Sequence, residues 1–125
     1  MPGYPGNNLA TLLYENKQAF FWLGETVPVN GTSVAFQLRR ERGAFAPFAF
    51  SVELSFSGPS GAFEVDILTS DTDVLKNYVQ VARINSGLNN FNITRYEMTN
   101  VFCKYVCLQM VALTNAVTVT AMVTR

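Results

Sequence analysis

The sequence predicts an all-β fold, an antiparallel β-sandwich or jelly roll of about eight strands. From Gly31 onward, apolar and polar residues alternate with a period of two, which is typical of strands that have one face in a core and one in water. Clusters of Gly, Pro, Asn and Ser separate the alternating runs, without a long helical period between them. Together these two observations predict the fold class.

The run from Phe48 to Phe56 alternates most clearly and predicts a strand with its phenylalanine, valine and leucine side chains inward. The same pattern in SVAFQLRR and AFEVDIL predicts these inward residues: Val34, Phe36, Leu38, Phe63, Val65 and Ile67. Further strands are predicted at NYVQVARI, FNITRYEM, FCKYVCLQMVAL and AVTVTAMVT. In the last run, Val117, Val119, Ala121 and Val123 are expected in the core and Thr118, Thr120 and Thr124 in water.

The residues between the runs predict turns. Asn30-Gly31 favours a type I′ hairpin, because both residue types tolerate positive φ. This hairpin implies a strand within FFWLGETVPV, and Pro28 would confine that strand to a sheet edge or an irregular segment. Other turns are expected at Ser57–Gly61, Ser86–Asn90 and Thr114-Asn115.

The chain of 125 residues is expected to form one domain. Residues 1–26 are predicted as a partly irregular N-terminal arm and residues 27–125 as a single β-sandwich. Two short helical turns are expected, one at Leu9, Leu12 and Leu13, the other at Val74, Leu75 and Tyr78 with Asp71 or Asp73 as its cap.

Composition excludes several classes of function. Nine basic and nine acidic residues cancel, so the net charge offers no field for nucleic acid or an anionic membrane. The start, MPGYPGNNLA, does not have the pattern of a secretory signal, and no apolar run approaches the roughly 20 residues that cross a bilayer. We therefore expect a soluble protein made in a cytoplasm, with partners bound through shape and apolar contact.

No enzymatic chemistry is expected. The chain contains no histidine, which removes nucleophile pairs that rely on an imidazole base. Cys103 and Cys107 are predicted on one face of a strand about 13 Å apart, hence as reduced thiols, and no metal or cofactor is expected. Asp66 is expected to face outward on its strand beside Glu64. For the acids through Asp73, strand termination and capping are favoured over a calcium site or a catalytic carboxylate pair.

Two clusters are candidate partner contacts. The first contains Tyr14, Phe20, Phe21 and Trp22, which either fill the core or anchor the chain in a partner's pocket. The second is the run RRER, in which Arg39 and Arg40 either bind an acidic partner or lie in a solvated loop.

The run from Lys104 to Leu113 is apolar on both faces, which predicts cover on two sides. One sandwich supplies cover on one side only. A loop, the N-terminal arm or another subunit must supply the other, and we expect a homo-oligomer.

The region from Val34 to Arg125 resembles small structural proteins of tailed bacteriophages. The resemblance is carried by GAFEVDILTSDTD, followed by YVQVARINSGLNNFNITRYEM and by CKYVCLQMVALTNAVTVTAMVTR. It implies a virion component, most directly a head decoration or cement protein that binds the major capsid protein on the outside of the shell. Analogy with decoration proteins at symmetry axes favours a trimer.

Two other interpretations stay open. A neck or tail position fits the same resemblance. A carbohydrate-binding, adhesin-like β-sandwich module would instead need exposed aromatic side chains on a strand face or loop, whereas alternation directs most phenylalanines inward.

Overall fold

Eight β-strands and one short helical turn make up the described part of the chain. The computed structural model describes residues 18–38, 48–86 and 93–125. The elements are β1 (Gln18–Glu25), β2 (Phe36–Gln37), β3 (Phe48–Phe56), β4 (Phe63–Ser70), a 3₁₀ helix (Leu75–Asn77), β5 (Val79–Asn85), β6 (Ile93–Val101), β7 (Tyr105–Leu113) and β8 (Val119–Thr124). The predicted all-β class is confirmed.

The strands form two antiparallel sheets of four strands each. Sheet A has the order β1-β8-β3-β6 and sheet B the order β2-β7-β4-β5. The pairs β1–β8, β2–β7, β3–β6 and β4–β5 are all antiparallel neighbours. The chain is therefore arranged like one long hairpin rolled into two sheets, which is a jelly roll.

The core lies between the sheets, and regular alternation identifies much of it. In β3 every second residue from Phe50 to Phe56 is buried, while those between are half-buried. In β8 the three inward residues Val119, Ala121 and Val123 are fully buried. The predicted inward residues of SVAFQLRR and AFEVDIL are buried as well.

Aromatic pairs join the sheets. The rings of Phe21 in β1 and Phe36 in β2 lie 5.1 Å apart edge to face, and those of Phe56 and Phe63 lie 4.9 Å apart. Such pairs contribute about 0.5–1.5 kcal/mol beyond the burial of their area. They stabilise the packing of sheet A on sheet B.

The predicted N-terminal arm includes a regular strand of the sandwich. Gln18–Glu25 forms β1 and pairs with β8 at the edge of sheet A. The strand predicted within FFWLGETVPV is therefore present at a sheet edge, and register shifts between Phe20 and Trp22 and between Trp22 and Glu25 interrupt its alternation. Residues 1–17, with the predicted helical turn at Leu9, Leu12 and Leu13, lie outside the described residues.

The predicted type I′ hairpin at Asn30-Gly31 is wrong. The turn is of another type, and the strands on either side of it, β1 and β2, belong to different sheets. The turn spans Pro28 to Gly31, whose amide donates to the Pro28 carbonyl at 2.9 Å. Asn30 has φ +69°, the left-handed conformation that a type II turn needs at its third residue. The chain then bridges to β7 through Thr32 and Gln109. This turn therefore carries the chain from sheet A to sheet B.

The cysteines do not share a strand, because β7 begins at Tyr105 and Cys103 precedes it. That part of the prediction is wrong. No disulfide joins Cys103 and Cys107 in the structure.

Two of the predicted turns pack against each other. Gly61, with φ +66°, lies so close to the β7–β8 connection that an added Cβ would be 2.9 Å from the Thr114 Cβ. The backbone amide of Asn115 donates to the Ser60 carbonyl at 3.0 Å, and its side-chain amide donates to the Pro59 carbonyl at 2.9 Å. The turns at Ser57–Gly61 and Thr114-Asn115 are confirmed, whereas residues 87–90 of the third lie outside the described residues.

Candidate partner-binding surfaces

The acids of the β4 region were candidates for metal binding or catalysis. Within residues 18–38, 48–86 and 93–125, no group of three or more Cys, Asp or Glu side chains is arranged to hold a metal ion. The same residues contain no helix of the length and apolarity needed to cross a bilayer. The contacts of the individual acids show what they do.

Asp66 forms an ion pair on the outer face of sheet B. Its two carboxylate oxygens accept from Arg83 Nε at 2.7 Å and Nη2 at 3.2 Å. Arg83 Nη1 also lies 3.7 Å from Glu64 Oε1. Asp66 faces outward on its strand, as predicted, but it is only 5% exposed. The cause is its register, which sets Asp66 directly opposite Arg83 of β5.

The connection after β4 is held by local polar contacts. The Ser70 hydroxyl donates to the Thr72 carbonyl at 2.6 Å and accepts from the Thr72 amide at 3.1 Å. Asn77 donates to the Thr72 hydroxyl at 2.9 Å. The helical turn predicted here is confirmed as the 3₁₀ helix, but its N-cap is Val74 without a side-chain cap bond, so the predicted aspartate cap is wrong.

Asp73 instead anchors Tyr78, which covers the outer face of sheet B. The Tyr78 hydroxyl donates to Asp73 Oδ1 at 3.1 Å. Its ring packs on a second apolar cluster of Ala35, Leu68 and Cys107. Of the three sources of cover proposed for β7, a loop therefore supplies the one over Cys107.

Burial beneath this loop changes the ionisation of the cluster. Burial, assisted by the charge of Asp73, raises the pKa of the Cys107 thiol to about 12. Burial is also the main cause that raises the pKa of Tyr78 far above its usual range. An inert neutral thiol is expected at physiological pH. Alternation alone could not identify this cluster, because its cover comes from a residue outside the strands.

The predicted partner-contact residues have different fates. Phe21 and Trp22 are 1% and 3% exposed and pack in the core, so in this fold they are core residues and not surface contacts. Phe20 precedes them in β1, pairs with Met122 of β8 and is 41% exposed. Tyr14, Arg39 and Arg40 lie outside the described residues.

Among the described residues, the exposed large apolar side chains lie in two stretches of the chain. One belongs to β1 and the turn after it, and comprises Phe20, Leu23 and Val29. The other, here named the β5 patch, comprises Val74, Leu75, Val79 and Val81, which are 43%, 39%, 64% and 48% exposed. Exposed apolar patches of this kind often mark interaction sites.

The β5 patch borders a cavity at one open side of the sandwich. The cavity has a volume of about 220 Å³ and lies between the edge strands of the two sheets. Val81 and Thr69 line it from sheet B, and Met98 and Val101 from sheet A. Its size suits a single apolar side chain better than a cofactor, since ligand pockets are usually about 300–1,000 Å³.

Comparison with known proteins gives no family. No protein-family model matches the chain, and no curated protein matches its sequence. Among solved structures, the chain is similar to the SPBc2 prophage-derived protein YomS, with a TM-score of 0.52 and 18% identity over 86% of this chain and 91% of YomS.

A second solved structure is similar to the same extent in fold. It is the K3 cleaved adhesin domain of Lys-gingipain from Porphyromonas gingivalis W83, with a TM-score of 0.50 and 10% identity over 86% of this chain and 73% of that domain. At these identities the likenesses concern the fold alone. The chain is an eight-stranded β-sandwich of jelly-roll topology that shares its fold with a prophage-derived protein and an adhesin domain.

Proposed function

We propose that the chain is a non-enzymatic structural protein of a tailed-phage virion, a decoration or cement protein on the outer surface of the head. The observation that carries the proposal is the agreement of two resemblances. The sequence from Val34 to Arg125 resembles small phage structural proteins, and the fold is similar to nearly the whole of a prophage-derived protein. The assignment to the head is our own step beyond that agreement.

The partner in this proposal is the major capsid protein. The exposed side chains Phe20 and Leu23 on edge strand β1 supply apolar contacts. A net charge of zero suits a partner bound by shape and apolar contact, not nucleic acid or a membrane. No cofactor takes part. A protein that binds only the assembled shell stabilises that state by mass action.

The N-terminal segment remains a proposed contact, but its test must respect β1. Deleting residues 1–26 would remove Phe21 and Trp22 from the core and so unfold the sandwich. A deletion of residues 1–17 spares β1 and examines the segment alone.

Particle stability tests the proposal. Heads assembled without the chain are challenged with heat or with chelation of divalent cations, alone and after addition of the purified chain. We expect the added chain to bind and to raise the temperature at which the heads release DNA. The Phe20→Asp variant should bind more weakly, and Thr120→Asp on the same sheet serves as its polar control. Heads that neither bind nor gain stability from the chain would contradict the proposal.

An adhesin-like module is the second candidate, favoured by the fold of the gingipain adhesin domain. Sugar-binding faces commonly use exposed aromatic side chains, and here the rings of Phe21, Trp22, Phe50, Phe56 and Phe63 are buried. A glycan array separates the candidates: selective glycan binding would favour the adhesin, and binding to heads alone would favour the virion protein.

A further inference from the structure

Strand β5 is an edge that the described fold leaves available for pairing. One side of β5 pairs with β4, and no other described strand pairs with its second side. Unpaired strand edges bind further strands readily, and proteins usually protect them with charges, proline, bulges or short length.

The other three edge strands have such protection. Two register shifts break β1, and Pro28 follows it. Strand β2 has only two residues. Strand β6 carries Arg95 and Glu97 at exposed positions. These features disfavour pairing with a further strand at each of those edges.

Strand β5 has one bulge, at Val81, but it has no proline and only a single charged residue. Its single charged residue is Arg83, whose guanidinium is bound by Asp66 on the sheet's own outer face. Its first half, Val79 to Val81, is uncharged and exposes both valines. The register shift opposite Leu68 makes Val81 the additional residue of a bulge, which turns its side chain toward the cavity beside β6.

The sequence of this half-strand is symmetric about Gln80. In an antiparallel pair with a twofold axis at Gln80, Val79 of one chain opposes Val81 of its partner, and the reverse contact follows by symmetry. Directly opposed side chains in such pairs have Cβ atoms about 4.5–5.5 Å apart, close enough for the valines to pack. The half-strand is therefore complementary to a second copy of itself.

Charge also permits this contact. The chain carries nine basic and nine acidic residues, so two copies do not repel each other through net charge. Arg83 keeps its charge neutralised within its own chain by Asp66 and Glu64. The contact surface at Val79 to Val81 thus brings no unpaired charge into the interface.

We propose that two copies of this chain associate through their β5 strands, in antiparallel register about a twofold axis at Gln80, to form a continuous eight-stranded sheet from both copies of sheet B. The association buries Val79 and Val81 of both copies. It concerns the isolated chain and does not depend on a role in the virion. It also replaces the threefold arrangement expected by analogy, whose motive was the uncovered outer face of β7 that Tyr78 partly covers.

Analytical ultracentrifugation of the full chain tests the association, with Val79→Lys as the disrupting variant. The matched control is Leu23→Lys, because Leu23 is exposed to the same 64% on edge strand β1. We expect a dimer for the unaltered chain and for Leu23→Lys, and a dimer weakened at least about tenfold for Val79→Lys, since a charge on an edge blocks strand pairing. Thermal unfolding at a concentration where all are monomers should be the same for the three, since both positions are exposed.

A cysteine at position 80 tests the register. Opposed Cα atoms in antiparallel pairs lie about 4.5–5.5 Å apart, within the range of disulfides. Gln80→Cys should therefore form a disulfide-linked dimer under mild oxidation, located at residue 80 by peptide mass spectrometry, and Leu23→Cys should not.

Three outcomes overturn the proposal. A monomer at all concentrations up to about 100 μM, well above the affinity of most specific complexes, would show that β5 does not pair with itself. A dimer unaffected by Val79→Lys would show that another surface associates. A trimer, or a chain that is monomeric yet binds phage heads through the β5 patch, would give that patch a different occupant.

Discussion

Strands β3 and β4 have similar alternating sequences, yet they differ in burial. Strand β3 (Phe48–Phe56) keeps one buried and one half-exposed face from Phe50 onward. Strand β4 (Phe63–Ser70) is buried at every position except Glu64. Both are inner strands of their sheets, so pairing alone does not explain the difference.

The cause lies outside the strands. On the outer face of β4, Tyr78 packs over Leu68 and Arg83 binds Asp66. On the outer face of β3, Glu53 pairs with Arg95, and their side chains are 31% and 63% exposed. The period of a strand therefore predicts which residues share a face. Whether that face is buried depends on other segments, here the loop that places Tyr78 over β4.

The largest effect should come from leucine truncation on the two strands. Leu54→Ala in β3 removes an inward side chain, and Leu68→Ala in β4 removes an outward one that is 8% exposed. Because both leave cavities, we expect each to lower the free energy of unfolding by about 2–5 kcal/mol. Urea titration measures it.

The matched control is Ser55→Ala on the outer face of β3, which should change the free energy of unfolding by less than about 0.5 kcal/mol. If Leu68→Ala lowered the free energy of unfolding as little as Ser55→Ala does, the outer face of β4 would be accessible to solvent, which would contradict the burial of Leu68.

The ion pairs of the two outer faces should differ next. Asp66→Ala removes a buried carboxylate and its two hydrogen bonds with Arg83, and we expect it to lower the free energy of unfolding more than the loss of an exposed pair does. Glu53→Ala breaks an exposed pair and should cost about 0–1 kcal/mol. Chemical denaturation at low and high salt compares them, and equal costs would contradict the difference between the faces.

Alkaline pH should destabilise the covered face. The pKa of Cys107 is 9.0 when unperturbed and about 12 in the fold. Its stabilising contribution is therefore complete below pH 9 and is lost as pH rises toward 12. At pH 10 the loss should be about 1 kcal/mol, because one pKa unit corresponds to about 1.4 kcal/mol.

The variant Cys107→Ala isolates this contribution. It should be less stable at neutral pH but should lose less between pH 8 and pH 10, because the ionisation of the tyrosines in the unfolded state, at an ordinary pKa of 10.0, affects both proteins equally. An identical pH dependence in the two proteins would show that Cys107 is not buried as a neutral thiol.

The smallest effect concerns the hydrogen bond that holds the cover in position. Tyr78→Phe keeps the ring over Leu68 but removes the bond to Asp73, and should cost about 0.5–1.5 kcal/mol. Tyr96→Phe on β6 is the matched change on sheet A. Hydrogen exchange of the Leu68 amide should accelerate in Tyr78→Phe only, and protection that is unchanged would assign the cover to other contacts.

Regular strands were predictable from the sequence. Alternation gave the core faces of β3 and β8, because these two strands pair with each other in unbroken register. It failed at β1. The register shifts of β1 allow the consecutive residues Phe21 and Trp22 both to be buried, and the sequence could suggest the core only as one of two alternatives for them.

The candidate surfaces were harder to predict, since they depend on contacts between distant residues. No residue near Asp66 in the sequence indicates that Arg83, 17 residues later, is its partner. The β5 patch is likewise visible only when the strand order makes β5 an edge. The exposure of Val79 and Val81 is therefore a property of topology, whereas the turns at Gly61 and Thr114 followed from local residue types.

We propose that this jelly roll is a decoration or cement protein of a phage head. Its copy number in purified virions tests this proposal most directly. Quantitative mass spectrometry of purified virions gives the copy number relative to the major capsid protein, and electron microscopy gives the location. The account predicts copies in the hundreds distributed over the outer surface of the head. A few copies at one vertex would assign the chain to the neck or tail, and its absence from purified virions would contradict a structural role altogether.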